Sequence, residues 1–164
     1  MSQTMQDLQE AFAGESQANR KYLAFAQQAE KEGYPGVAKL FRAAAEAETV
    51  HAHAHLRAMQ GIGSTRENLQ EAVAGETHEF KNMYPDMISH AQQDGNKQAE
   101  RSFSFANEVE KVHAELYQKA LDNLDQDQNK DYYVCSVCGY TVEDGAPDKC
   151  PVCSANSKAF KQVQ

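Results

Sequence analysis

The sequence predicts a mainly α protein: four long helices that pack as a bundle, followed by a small β module. Three observations predict it. Residues from about 5 to 127 are dominated by Ala, Glu, Gln, Lys and Leu, the strong helix formers, with breakers at only four places. Glu and His recur at matching positions on otherwise apolar helical stripes. All four cysteines fall between positions 135 and 153, after a change of texture.

The breakers set the helix boundaries. Gly33-Tyr34-Pro35-Gly36 ends the first helix, and Pro35 suits the first turn of the second. Gly61-Ile62-Gly63-Ser64-Thr65 ends the second, with Ser64 or Thr65 able to cap the third. Pro85 should kink the third helix, and Asp94-Gly95-Asn96 separates it from the fourth. Four helices of about 25 to 30 residues result. The polar stretch from Asn123 to Asp131 reads as a linker, so residues 1–125 are expected to form the bundle, 126–131 the linker and 132–164 the tail. In the tail, Tyr132-Tyr133-Val134 and Tyr140-Thr141-Val142 read as short strands. A tail of that length cannot build a sufficient apolar core and needs a staple.

Charge and hydropathy limit the function classes. The 164 residues carry 16 basic and 24 acidic side chains, a formal charge of −8, which argues against a nucleic-acid-binding face. No stretch approaches the roughly 18 apolar residues of a membrane span. Met1-Ser2-Gln3-Thr4 lacks the pattern of a secretory signal, so a cytoplasmic location is expected.

The helical part contains a duplication. Ala13-Gly14-Glu15-Ser16 recurs as Ala74-Gly75-Glu76-Thr77, offset by 61. Glu46-Ala47-Glu48-Thr49-Val50-His51-Ala52 recurs as Glu108-Val109-Glu110-Lys111-Val112-His113-Ala114, offset by 62, and Phe41 recurs as Phe103. Glu15, Glu48 with His51, Glu76, and Glu110 with His113 each interrupt an apolar stripe at helical spacing. A lone Glu-x-x-His on a helix is most often a solvated face. Two copies, each on an apolar stripe and each accompanied by an Ala-Gly-Glu repeat, are another matter. Bare carboxylates in a bundle core cost several kcal/mol each and repel one another, so cations must lie between them. One lone Glu plus one Glu-x-x-His per helical hairpin, doubled, is the ligand set of carboxylate-bridged di-iron or di-manganese bundles. Glu48 and Glu110 are expected to bridge, with His51 and His113 as nitrogen donors. Glu79, one turn after Glu76, adds a fifth carboxylate whose counterpart at the same offset is Ala18. A spare carboxylate lets one metal exchange ligands as its charge changes. His53, His55 and His78 are expected to stay outside the ligand set.

Cys135-x2-Cys138 and Cys150-x2-Cys153 form a tetrahedral four-thiolate pattern. The spacing alone allows a structural zinc ribbon or one redox iron. The neighbours favour iron: Cys138-Gly139-Tyr140 and Cys150-Pro151-Val152-Cys153 look like the two knuckles of rubredoxin, with Tyr132, Tyr133 and Phe160 as aromatic core.

The whole chain resembles the rubrerythrin family. The resemblance is carried by Ala13-Gly14-Glu15-Ser16-Gln17-Ala18, Gly75-Glu76-Thr77-His78-Glu79, Met83-Tyr84-Pro85, both Glu-x-x-His pairs and the four cysteines. It implies a ferritin-like four-helix bundle with a rubredoxin-like tail. It implies two Fe ligated by Glu15, Glu48, His51, Glu76, Glu79, Glu110 and His113, and one Fe, or Zn in its place, held by Cys135, Cys138, Cys150 and Cys153. In the resemblance Glu79 trades places with His51 as the iron changes oxidation state, and Tyr22 and Tyr84 hydrogen-bond the carboxylates. The implied activity is a peroxidase of oxidative-stress defence, in which two ferrous ions reduce hydrogen peroxide to water. The tail iron then refills the site with electrons from an electron-donor protein, a rubredoxin or an NAD(P)H-dependent reductase. Rival readings are a ferroxidase or iron-storage protein, and a zinc ribbon docking on a metal-free bundle.

One departure bears on assembly. In a ferritin-like bundle the second and third helices run parallel, so their joined ends lie about 35 to 40 Å apart at 1.5 Å per residue. Residues 61–65 span at most about 18 Å. A domain-swapped homodimer is therefore expected, with residues 5–60 of one chain paired with 66–125 of the other.

Overall fold

The computed structural model describes residues 2–126 and 129–164. Residues 127 and 128, in the middle of the expected linker, lie outside the described residues. The chain divides into two compact units, one up to Gly63 and one from Ser64 onward.

The first unit is a helical hairpin of α1 (Gln3–Lys31) and α2 (Pro35–Ala58). The Ser2 side chain caps α1 by accepting from the Met5 N–H. Gly33, in the left-handed region at φ 83°, turns the chain, and Pro35 opens α2. The seam is built from small residues: Ala26, Ala29, Ala38, Ala45 and Ala52 are all buried. Alanines on both helices bring the two backbones close. Asn19 exploits this, its Nδ2 donating across the seam to the Ala45 carbonyl (2.7 Å) and to Thr49 Oγ1 (2.8 Å). At the turn end, Phe25, Phe41 and Tyr22 form an aromatic cluster with centroids 5.6–6.3 Å apart.

The second unit begins with Ser64, which forms a capping box with Glu67 at the start of α3 (Thr65–His78). The expected third helix is not one α-helix. It passes into a π-helical turn, Glu79–Met83, before α4 (Tyr84–Gln93). The expected kink at Pro85 takes this form because a proline has no N–H for the carbonyl four residues back. The turn before it widens, and the Tyr84 N–H reaches the Glu79 carbonyl five residues back. Asn96 then caps α5 (Lys97–Asp122). A 3₁₀ turn, Leu124–Gln126, follows it.

The tail forms a three-stranded antiparallel sheet in the order β2-β1-β3, with β1 Tyr132–Cys135, β2 Thr141–Glu143 and β3 Phe160–Gln162. The third strand was not expected from the sequence, because Phe160-Lys161-Gln162 is too short and too polar to read as one. Phe160 packs edge-on against Tyr140, with centroids 6.3 Å apart.

Candidate metal centres

The four cysteines converge. Cys135 and Cys150 are buried, none is in a disulfide, and one ligand atom from each lies within 4.8 Å of all the others. The sulfur separations are 3.7 Å for Cys135–Cys153 and 3.5 Å for Cys138–Cys150. A tetrahedron of metal–sulfur bonds of about 2.3 Å has edges of about 3.8 Å, so the cluster has close to the size of a four-thiolate site. Two matching turns build it. The Gly139 N–H donates to the Cys135 carbonyl (2.8 Å) and the Ser154 N–H to the Cys150 carbonyl (2.9 Å). Gly139 and Ser154 both adopt positive φ, at 87° and 62°, each just after the second cysteine of its pair. Burial pushes the Cys138 and Cys153 thiols up. At Cys135 burial acts the same way but is outweighed by the N–H groups of Val137 and Cys138, which donate to its sulfur and leave its pKa lowered.

The helical ligands form two triads of the same design. In the first unit, His51 Nδ1 lies 2.8 Å from Glu48 Oε2 and 3.8 Å from Glu15 Oε1. In the second, His113 Nδ1 lies 2.7 Å from Glu110 Oε2 and 3.9 Å from Glu76 Oε1. Each triad places a ligand atom from every member within 4.8 Å of the others. The i, i+3 spacing of each Glu-x-x-His brings its two side chains over one another on one helix face. The lone Glu arrives from the helix packed alongside. Two carboxylates and one imidazole per triad are donors for a hard or borderline cation such as iron or manganese.

Electrostatics agree with a cation requirement. The Glu76 carboxyl is pushed up, first by burial and then by the Glu110 charge, with His113 opposing and Glu79 adding. The Tyr84 hydroxyl is also pushed up, by burial and then by Glu110, Glu79 and Glu76. Glu79 itself lies outside the triad and opens the π-helical turn, within electrostatic reach of both Glu76 and Tyr84. Tyr22 packs on Phe41 and Tyr84 on Phe103, at 6.1 and 6.3 Å between centroids.

This last pairing extends the duplication to Tyr22 and Tyr84. Tyr22 follows Glu15 by seven positions, whereas Tyr84 follows Glu76 by eight. The extra residue falls where the helix widens into the π turn, so the tyrosine keeps the face it has in the first repeat. The change of offset from 61 to 62 is the sequence signal for that turn.

A family model described as rubrerythrin matches residues 7–121, and one described as the rubredoxin-like domain of rubrerythrin matches residues 133–161. The chain belongs to the rubrerythrin family. Rubrerythrin-2 of Clostridium acetobutylicum is 38% identical over 94% of this chain and 93% of its own length. Nigerythrin of Nitratidesulfovibrio vulgaris is 35% identical over 96% of this chain and 85% of its own length. A solved structure of nigerythrin in a partially reduced state superposes with a TM-score of 0.61 at 32% identity, covering 99% of this chain and 88% of that one. The fold is thus the ferritin-like rubrerythrin fold with a rubredoxin-like module. The family implies a di-iron carboxylate site, and the donors of the two triads fit it. Among the described residues, no helix is long and apolar enough to cross a membrane.

Proposed function

We propose that this chain is a non-haem di-iron peroxidase that reduces hydrogen peroxide to water, with electrons entering through the four-cysteine centre. The observation that carries the reading is the pair of matched Glu, Glu, His triads, one of them with a spare carboxylate and a tyrosine beside it. Glu15, Glu48, His51, Glu76, Glu110 and His113 would hold two iron ions, and the four cysteines a third. When bound, two ferrous ions would supply the two electrons that peroxide takes up with two protons to give two waters, and the cysteine-held iron, a one-electron centre, would pass replacements singly from the donor protein.

The chain's own residues supply the rest. The Glu76 carboxyl, pushed up by burial and by Glu110, gives up its proton more readily once a cation binds, so loading the site favours proton release. Burial, and then the charges of Glu110, Glu79 and Glu76, push the Tyr84 hydroxyl up, so it keeps its proton and would serve as a proton donor beside the site. Glu79 lies outside both triads at the start of the π-helical turn, where it would serve as a spare carboxylate able to take the place of His51 as a ligand.

The decisive experiment is anaerobic reduction of the whole protein followed by enough peroxide to accept all the electrons held by both centres, watching both iron absorptions. Both centres should reoxidise as peroxide disappears. Peroxide that persists over reduced centres overturns the reading. In a separate aerobic assay, accumulation of ferric iron on feeding ferrous iron favours the ferroxidase alternative, and a colourless tail marks zinc in place of iron. The electron donor is a protein of the rubredoxin or NAD(P)H-dependent reductase type.

The same reading includes a swapped homodimer. Only Met59–Ser64 connect α2 to α3, a span of at most about 25 Å. Parallel helices in a ferritin-like bundle require a return of about 36 Å for a helix of 24 residues. Exchange of hairpins between two copies removes the conflict. A mixture of Glu48→Ala and Glu110→Ala chains, unfolded and refolded together, should then show di-iron sites with every ligand intact. A monodisperse monomer with full di-iron absorption would refute the swap.

A further inference from the structure

The two triads match in geometry, but among the described residues only His113 has its far nitrogen engaged by the tail. Its Nε2 lies 2.9 Å from Thr141 Oγ1, at the start of β2. The Thr141 hydroxyl has one proton, and it donates it to the Gly139 carbonyl at 3.1 Å. Its oxygen is then free to accept from His113, and it receives the Nε2 proton once a cation takes up Nδ1 and leaves the ring proton on Nε2. That leaves Nδ1, 2.7 Å from Glu110 Oε2 and 3.9 Å from Glu76 Oε1, as the ring atom turned to the ligand cluster.

The geometry points to Thr141 as a positioning residue for the di-metal site: from the tail module, it fixes the proton and the ring orientation of the metal ligand His113. Partners of this kind hold a ligating histidine in one tautomer and raise its basicity, and losing them weakens metal binding about 10- to 100-fold. The inference rests on the di-metal reading and not on peroxide chemistry.

Other contacts keep the threonine in place. A Cβ at Gly139 would meet Val109 Cγ1 of α5 at 3.7 Å, so the turn before β2 lies against the helix four residues before His113. Lys119 pairs with Glu143 one turn and a half further along. The Tyr140 N–H donates to Cys138 Sγ. Two hydrogen bonds and a short stretch of backbone thus connect a cysteine of the tail with a histidine of the helical site in one chain.

The test uses the full-length protein with Thr141→Val, which keeps shape and loses the acceptor, and Thr141→Ser, which keeps the acceptor. In zinc-loaded protein, the His113 Nε2–H resonance should be slow to exchange with water in the parent and in T141S, and fast in T141V. The affinity for ferrous iron at the Glu/His site, measured against the cysteine-bound metal as internal reference, should fall about 10- to 100-fold in T141V and recover in T141S. Parental iron affinity in T141V overturns the proposal, whatever the resonance does. A parent protein that takes up iron only at its cysteines overturns the di-metal reading itself, and that outcome is visible before any variant is made.

Discussion

Replacing Cys150 by serine should bleach the four-cysteine centre and stop electron delivery through the tail, while each loaded di-iron site still turns over peroxide with a small chemical reductant. The tail consists of strands of four, three and three residues, and its buried residues include two of the ligands, Cys135 and Cys150. Such a sheet does not stand without help. A four-cysteine metal contributes about 10 to 16 kcal/mol of binding energy that is also folding energy, so losing one ligand should unfold the module. The helices before it draw their stability from their own seams, including the alanine contacts of α1 with α2. Rates must be expressed per bundle-bound iron, because unfolding the tail also removes the Thr141 contact to His113. The measurement is peroxide consumption with the physiological type of donor protein and, separately, with a chemical donor. Equal loss with both donors would show that the tail does not serve as the entry point.

Glu79→Ala should leave di-iron content close to that of the parent and slow peroxide turnover about 10- to 100-fold. The expectation comes from position. Glu79 is not among the residues of either triad, so its removal takes away no member of the resting ligand set. It does act on Glu76 and Tyr84, and it sits at the first residue of the π-helical turn, where the backbone is widened. A carboxylate there can approach or leave the metals without dragging a regular helix with it. Iron content by metal analysis and turnover by peroxide decay separate the two effects. Parental turnover would refute the exchange role, and loss of iron would make Glu79 a resting ligand.

Much of this architecture was legible in the chain because local chemistry wrote it there. Gly33 and Pro35, Ser64, and Asn96 mark helix ends by turn and cap chemistry that operates within a few residues, and the structure uses all of them at those ends. The triads were legible because helical spacing alone puts Glu48 over His51 and Glu110 over His113, and the repeat named the lone glutamates. The cysteine pairs were legible for the same reason, since each knuckle closes over four residues. The π turn was legible only in part. Pro85 announces a disturbance, but whether a helix kinks or widens depends on which carbonyl the preceding N–H groups reach. The strand Phe160–Gln162 carried no local signal at all, since it exists only because β1 offers its free edge.

The sequence by itself determined the helix ends, the two ligand sets and the chemistry they can hold, because these follow from spacing along one helix or one turn. Only the tertiary structure decided that the Thr141 hydroxyl meets the His113 imidazole across 28 positions of sequence. A threonine that reads as an ordinary strand residue becomes part of a metal site only when β2 is laid along α5. Contacts between elements are set by packing and register, which no local pattern encodes.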